Sequence, residues 1–330
     1  MKAITPVIAL VMLMLITVGM VGIAFVWFTG IFSSSTNKSV LIPPGGAYCD
    51  GGDITVRVLN EGSSVITGTD ILVADVDGTS VLGTPFMGDM KNYFIGQWKM
   101  DETSGIVAMD TSGNGNDGTL KPSCPDCPQW VDAKYKKGLK FDGSNDYTDI
   151  TNELSSGITD SMTLGGWVRP NAITNYGVMM RPVNGNFWLQ WSSTSNYFYG
   201  AVFRSDGSDV RANFPAGVPA LDKWTHISMS YEKGVLKIFA NGVQVGSDSK
   251  PVMNVKTMFG STRIGGGAGG GSGQLNGLID EVRLYKRSTG DVNIQPGQSA
   301  VVINYPGTEG RHATRIGTST NVAEASVTCA

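Results

Sequence analysis

Charged side chains are scarce in this chain: they make up 16% of its 330 residues, and only two histidines and four cysteines accompany them. So few histidines leave little material for a histidine-based metal centre or catalytic site. The net charge is −3, and no run of lysine or arginine occurs. A nucleic-acid partner is therefore not expected, because binding nucleic acid needs a basic stripe or patch.

Glycine is abundant instead, at 44 residues, which favours short strands and many turns. The length leaves room for two globular units of about 100 to 200 residues each. The four cysteines are an even number, which suits two disulfides in an oxidising exterior.

The longest apolar run, Ile4 to Phe32, contains 29 consecutive residues without a formal charge. As an α-helix rising about 1.5 Å per residue, it would be about 44 Å long, which exceeds a bilayer core of about 30 Å. A cleavable secretory signal fits poorly, because its apolar core has only about 7 to 15 residues. The run predicts a long helix over residues 4–35, inserted in the membrane as a precursor. Only Lys2 and the amino terminus carry positive charge before it, so the remaining chain is expected outside.

The residues in front of this run, Lys2-Ala3-Ile4-Thr5-Pro6, resemble the processing site of archaeal type IV pilins and archaellins. The resemblance implies a leader peptide of residues 1–3 and a cut between Ala3 and Ile4 by a prepilin peptidase. In that family an assembly machinery then packs the helix with copies of the same subunit in a helical filament. A plain membrane anchor is the alternative.

Alternating segments near both ends of the chain predict a small β-domain in two parts, residues 36–91 and 290–330. These segments are Asp53–Val58, Val65–Val76, Gln298–Asn304, Ala313–Thr318 and Ala325–Cys329. The residues Asp53–Asn60, Val65–Asp77, Pro296–Ser299 and Ala323–Cys329 are similar, in this order, to the outer domain of archaeal pilins. On this resemblance Cys49 opens the domain and Cys329 closes it, which implies a disulfide between them; two free thiols are the alternative. A sequon makes Asn37 a candidate glycosylation site.

Residues 92–289 contain six characteristic segments, Gln97–Glu102, Asp110–Leu120, Phe141–Tyr147, Leu164–Val168, Trp224–Ser228 and Gly277–Tyr285. In their residues and in their order, these segments resemble the laminin-G-like, concanavalin A-like jelly-roll family. Without the family, the many short alternating strands and turns of this region already predict a two-sheet β-sandwich. The resemblance implies a module that binds carbohydrate or protein.

Catalysis is not expected of this module. Related glucanases place their carboxylates in a Glu-x-Asp-x-x-Glu arrangement, because cleavage of a glycosidic bond needs two carboxyl groups at a fixed separation. That triplet does not occur in this sequence. Asp280 and Glu281 are adjacent, so on a strand their side chains would point to opposite faces.

A candidate calcium loop begins at Asp110. Oxygen-bearing side chains recur at every second residue, Asp110, Ser112, Asn114 and Asn116, as in the first half of a calcium loop, although the downstream bidentate Glu is missing. In laminin-G-like relatives the Asp of the Ile-Asp-Glu-Val phrase, which is Asp280 in this chain, sometimes also coordinates the calcium ion. The alternative is a turn-rich loop that binds no metal.

Trp188 and Tyr199 lie in aromatic clusters and are candidates for stacking on sugar rings, although most of these aromatic residues are expected in the core.

Cys124 and Cys127 have the spacing of a redox motif, but their segment is irregular and does not start a helix. They are therefore interpreted as a disulfide that closes a local loop.

The predicted fold class is thus a long N-terminal α-helix plus an all-β part, in which a small pilin β-domain carries an inserted β-sandwich of the jelly-roll type. The expected function is that of a structural subunit of an extracellular filament on the archaeal cell surface, displaying a lectin-like domain for adhesion to glycans or surfaces. A monomeric, membrane-anchored carbohydrate-binding surface protein is the alternative.

Overall fold

The computed structural model describes residues 14, 17–18, 20–21, 37–50, 53–82, 87–88, 93–172, 177–192, 197–257, 260–267, 273–288, 292–307 and 309–329. The leader peptide, the predicted cut between Ala3 and Ile4, and most of the apolar run lie outside these residues.

The predicted long N-terminal α-helix is wrong as part of the fold class, because the described structure is nearly all β. Within the apolar run, helical backbone is described only at Met14, Thr17, Val18, Met20 and Val21. The four apolar side chains of this set are 66% to 69% exposed. A helix gains most of its stability by packing an apolar face, and hydropathy does not establish that a surface within the chain covers these side chains. Among the residues described, no helix has the length and apolar character needed to cross a membrane.

The strands of the described residues are numbered in chain order. The first thirteen are β1 (Val40–Leu41), β2 (Ala47–Asp50), β3 (Asp53–Asn60), β4 (Ile66–Thr67), β5 (Val73–Val76), β6 (Thr79–Ser80), β7 (Phe94–Trp98), β8 (Val107–Ala108), β9 (Gly118–Lys121), β10 (Gln129–Asp132), β11 (Lys137–Asp142), β12 (Tyr147–Ile150) and β13 (Ser161–Ala172). The others are β14 (Val178–Pro182), β15 (Phe187–Ser192), β16 (Tyr197–Phe203), β17 (Asp209–Asn213), β18 (Thr225–Glu232), β19 (Val235–Ala240), β20 (Val243–Ser249), β21 (Thr262–Ile264), β22 (Asn276–Tyr285), β23 (Asn293–Ile294), β24 (Ser299–Pro306), β25 (Gly310–Gly317) and β26 (Val322–Cys329). Short 3-10 helices lie at Gly68–Asp70 and Leu154–Gly157.

Strands from the two ends of the chain pair with one another in a small domain. One sheet has the order β1-β3-β2, with β24 also paired to β3, and a second has the order β26-β25-β5-β6. The partners β23 and β4 form a two-stranded ribbon. Every one of these pairings is antiparallel. The disulfide between Cys49 and Cys329, with 5.4 Å between the Cα atoms, joins β2 to β26.

The region between these strands is a sandwich of two antiparallel sheets. The first sheet has the order β10-β11-β22-β13-β18-β19-β20, with β7 also paired to β22. The second has the order β17-β16-β15-β14-β21-β12-β9-β8. Apolar side chains from both sheets form one buried cluster, which includes Trp98, Phe141, Phe187, Phe198 and Leu284. This arrangement leaves the other face of the second sheet turned away from the core.

Candidate functional site

The outer face of the second sheet, which points away from the sandwich core, carries a row of aromatic and cationic side chains. Along β15, Phe187 and Leu189 belong to the core cluster. Successive strand residues point to opposite faces, so Trp188 and Gln190 lie on the outer face. Strand register places Gln190 opposite Tyr199. The same alternation puts Arg181, Arg211, Arg263 and Tyr147 on this face, because their neighbours Met180, Ala212, Ile264 and Thr148 point the other way.

Each arginine of this row lies over an aromatic ring. The guanidinium carbon to ring-centroid distances are 4.3 Å for Arg181 over Trp188, 4.7 Å for Arg211 over Tyr199 and 4.1 Å for Arg263 over Tyr147. Cations at such distances are attracted by the negative face of the ring. We call these six residues, Tyr147, Arg181, Trp188, Tyr199, Arg211 and Arg263, the arginine–aromatic face.

The two predicted stacking residues, Trp188 and Tyr199, both belong to this face, on neighbouring strands. Trp188 is half-buried, with the Phe203 ring 4.5 Å away. Tyr199 is only 4% exposed, and its hydroxyl oxygen accepts a hydrogen bond from the Gln190 amide. The arginines cover both rings, so a ligand would meet guanidinium groups together with aromatic edges. Stacking of a sugar on these residues stays a prediction.

The three arginines of this face were not predicted from the sequence, because no local motif links them. Arg181, Arg211 and Arg263 come from three strands that are far apart in the chain, and only strand register brings them to one face. Arg181 stands directly opposite Arg263. The only sequence signal was the alternation of each arginine with apolar neighbours on its strand.

The predicted calcium loop is a network of hydrogen bonds around Asp110. Its Oδ1 accepts from the backbone N–H of Gln97 and Ser112, each at 2.9 Å, and its Oδ2 accepts from the Asn116 N–H at 2.9 Å. The Asn114 and Asn116 amide groups donate to the Ile95 carbonyl oxygen. Both carboxylate oxygens of Asp110 are thus already engaged by backbone donors, as in a turn that the side chain organises.

Asp280, the fifth candidate ligand, lies on β22 and has no solvent exposure. Its Oδ2 accepts from the Tyr135 N–H at 2.8 Å, while its Oδ1 is buried without a hydrogen-bond partner, as is Oδ1 of Asp101. Burial, then repulsion by Glu281 and Asp101, raises the pKa of Asp280 to about 9. Such an orphaned oxygen fits a cation. Of the predicted set, Asp280 fits calcium better than Asp110 does, with Asp101 beside it.

Among the described residues, no group of three or more histidine, cysteine or acidic side chains is arranged to hold a metal ion. An ion at Asp280 and Asp101 would therefore need backbone or water oxygens to complete the six to eight ligands that calcium takes. Calcium binding stays a prediction.

A polar cleft of about 400 Å³ lies elsewhere on the domain, between the loop closed by the Cys124–Cys127 disulfide and the turn after β11. Asp126, Asp142 and Asp146 line it, together with Lys140. Burial, and then repulsion by the other two carboxylates, raises the pKa of Asp146 to about 6. No aromatic ring of the described residues lines this cleft, so it lacks a platform for a sugar ring.

The remaining predicted sites are placed as follows. Both disulfides, Cys49–Cys329 and Cys124–Cys127, are present in the structure. Asn37 is exposed, as an acceptor of glycosylation must be. Ala3 and Ile4 lie outside the described residues.

Residues 142–295 match the family model of the concanavalin A-like lectin/glucanases superfamily, Laminin_G_3. The match covers less than half of the chain and lies within the sandwich and the strand that follows it. The chain therefore contains a lectin-like jelly-roll domain of the laminin-G-like, concanavalin A-like type, as its sequence predicted. The predicted archaeal type IV pilin identity is not shown by this match.

Solved structures with a similar fold include domain 4 of AbnA, an extracellular GH43 arabinanase from Geobacillus stearothermophilus, in complex with arabinotriose. Its identity is 20%, over 62% of this chain and 96% of that domain, with a TM-score of 0.42. The binding domain of Paraclostridial mosquitocidal protein 1 is 14% identical over 61% of this chain and 50% of its own, with a TM-score of 0.48.

The receptor binding domain of botulinum neurotoxin mosaic serotype C/D is 14% identical over 61% of this chain and 49% of its own, with a TM-score of 0.46. This chain thus spans about half the length of the two toxin domains. No curated protein matches the chain.

Proposed function

We propose that the jelly-roll domain binds carbohydrate on the arginine–aromatic face. The observation that carries the proposal is the convergence of three aromatic rings, three guanidinium groups and the Gln190 amide on the sheet face turned away from the core. Ligand sites combine aromatic surface with a few placed polar groups, and amide and guanidinium groups hydrogen-bond to hydroxyl groups. Strands hold such groups more rigidly than loops do. The match to a lectin superfamily supports the same ligand class.

The test is binding of the full chain, purified in detergent, to a panel of immobilised oligosaccharides. Trp188→Ala removes the central ring of the face together with the surface on which Arg181 lies, and it should weaken binding at least about tenfold, because a few large aromatic and arginine side chains dominate the energy of such sites. Trp130→Ala is the matched control: it removes another half-buried tryptophan, which lies on β10 of the first sheet and donates its indole N–H to the Gly105 carbonyl oxygen. Equal binding by Trp188→Ala and the unaltered chain would refute this site.

The wider proposal is that the chain displays this domain at the archaeal cell surface as a subunit of an extracellular filament, and that it performs no catalysis. The uncharged run from Ile4 to Phe32 and the Lys2-Ala3-Ile4 sequence before it support assembly. The burial of Asp280 and Glu281, at 0% and 3% exposure, supports the absence of a catalytic carboxylate pair on β22.

Electron microscopy of material sheared from cells tests assembly, because a filament is expected there. Mass spectrometry of that material should find chains that begin at Ile4. Unassembled chains in the membrane that retain Met1 would instead favour the membrane-anchored, monomeric carbohydrate-binding protein. Neither outcome affects the test of the arginine–aromatic face.

A further inference from the structure

Arg181, at the middle of the arginine–aromatic face, is a half-buried cation that has no anionic neighbour among the residues that the structure describes. No carboxylate of a described residue forms an ion pair with it; its guanidinium lies over the Trp188 ring, and its Nη1 donates a long hydrogen bond to the side-chain oxygen of Gln190, at 3.4 Å. Its Nε is buried without a hydrogen-bond partner. Burial lowers the pKa of Arg181 below its usual value, and no carboxylate opposes this effect. Burying an unpaired charge is costly, so the arrangement is incomplete in the free protein.

The other two arginines of the face differ from Arg181 in having carboxylate neighbours. Arg211 lies 2.8 Å from Asp209, and Arg263 lies 3.9 Å from Asp149. Arg263 is directly opposite Arg181 on the neighbouring strand. Like charges placed directly opposite destabilise a sheet. The stability of the fold therefore does not explain why Arg181 and Arg263 lie opposite each other. An anion bound between the two strands would reduce both the cost of burying the unpaired Arg181 charge and the repulsion between the two arginines.

We infer that the saccharide bound on the arginine–aromatic face carries an oxyanion, a carboxylate or a sulfate ester, that pairs with Arg181. This inference rests on the proposed function and names the class of its ligand. The planar guanidinium fork binds two oxygens of a carboxylate or sulfate at once. Trp188, beneath Arg181, holds the guanidinium plane in place. The ring of the sugar would lie along the neighbouring aromatic edges, and its carboxylate or sulfate group would bind the Arg181 guanidinium group.

The experiment compares matched ligands on the full chain in detergent. Trigalacturonate is compared with its methyl ester, and dextran sulfate with dextran, so that the two members of each pair share a sugar backbone and only one of them carries the anionic groups. The charged form of at least one pair should bind about tenfold more tightly, as expected for charge-assisted hydrogen bonds. The pair with the larger difference identifies carboxylate or sulfate as the preferred group.

Arg181→Gln should abolish that preference, and Arg181→Lys should restore part of it. Arg57→Gln is the control, because Arg57 is exposed on β3 of the small domain and its loss changes the net charge equally. Thermal midpoints of the variants separate loss of binding from loss of folding, and Arg181→Lys keeps the test informative if Arg181→Gln unfolds.

Four outcomes would overturn the inference. Equal binding of charged and neutral forms leaves the proposed carbohydrate function standing without the anion. An equal loss in Arg57→Gln indicates a net-charge effect. Competition by single-stranded DNA at the affinity of the charged saccharide indicates a general anion surface. Binding of no saccharide, with no effect of Trp188→Ala, removes the proposed function as well.

Discussion

Arg283 on β22 of the jelly-roll domain lies 3.4 Å from the carboxylate of Asp53 on β3 of the small domain, and its side chain has no solvent exposure. Arg283 also contacts Glu281 at 3.0 Å and the Asn304 side-chain oxygen at 3.1 Å. Burial alone would lower the pKa of Arg283, but Asp53, Tyr285 and Glu281 raise it above its usual value. The two domains therefore share a buried, charged network.

Replacing Arg283 by methionine should destabilise the whole chain. Breaking a buried ion pair by removing one partner leaves an uncompensated charge and costs about 3–5 kcal/mol. Urea unfolding, followed by tryptophan fluorescence, measures this loss. Arg211→Met is the control, since Arg211 forms a surface ion pair and is 45% exposed; it should change stability by less than about 1 kcal/mol. Equal midpoints for both variants would contradict a coupling role of Arg283.

The Cys49–Cys329 disulfide should contribute more stability than the Cys124–Cys127 disulfide. The first spans a sequence separation of 280 residues and the second only 3. In the chain-entropy model, stabilisation grows with loop length. The folded sandwich shortens the effective loop, so we expect the Cys49→Ala/Cys329→Ala variant to lose about 2–4 kcal/mol. A smaller loss in that variant than in Cys124→Ala/Cys127→Ala, measured in urea, would contradict the expectation.

Acid should destabilise the chain partly through His226. This residue is 2% exposed and packs edge-on against Trp167, with 5.4 Å between ring centroids. Burial, and then the charge of Arg283, lower its pKa from 6.5 to about 3. Between those values the unfolded chain binds a proton that the folded chain excludes, so this contribution to stability is lost as the pH falls from 6.5 towards 3.

His226→Gln, which does not titrate, isolates that contribution. Between pH 7 and pH 4.5 its stability should fall by about 2 kcal/mol less than that of the unaltered chain. The raised pKa values of Asp146 and Glu281, about 6 and about 7, give a dependence of opposite sign in both proteins. That part cancels in the comparison. Parallel pH profiles of the two proteins would exclude a buried neutral His226.

The sequence predicted the β-sandwich well because alternation and turn residues are local signals. In the small domain, Asp53–Asn60 was recognised in part from the alternation of its own residues, whereas Asn276–Tyr285 of the sandwich was recognised from the resemblance of Gly277–Tyr285 to the jelly-roll family. Hydropathy predicted a long helix at the N-terminus, and this was wrong because it measures transfer out of water and says nothing of a packing partner. In the structure, β3 and β5 of the small domain pair with β24 and β25 near the C-terminus. Alternation alone could not establish this pairing.

The candidate site was predictable only in part. Trp188 and Tyr199 were found because they are aromatic residues within visibly alternating segments. Arg181 and Arg263 were not, because their proximity follows from strand order, which no local pattern encodes. For the same reason the contact between Arg283 and Asp53 could not be predicted from the sequence, because the two residues are 230 positions apart and belong to different domains.

Calcium should stabilise the chain through Asp280 and not through Asp110. At neutral pH without metal, a carboxyl with a pKa of about 9 is protonated, so Asp280→Asn mimics its uncharged form and should cost little in the presence of a chelator. A bound ion stabilises the folded state by RT ln(1 + [L]/Kd), about 2.7 kcal/mol at a hundredfold excess over Kd. Calcium should therefore raise the thermal midpoint of the unaltered chain relative to a chelator.

The two variants then locate the ion. Asp280→Asn should lose the calcium shift, because Oδ1 of the unaltered Asp280 is the buried oxygen without a partner. Asp110→Asn should unfold at a lower temperature, because its carboxylate accepts three backbone hydrogen bonds, yet it should keep the calcium shift. The reverse pattern would place the ion in the Asp110 loop. An unaltered chain with the same midpoint in calcium and in chelator would mean that Asp280 is simply a buried, protonated acid that supports the Tyr135 backbone.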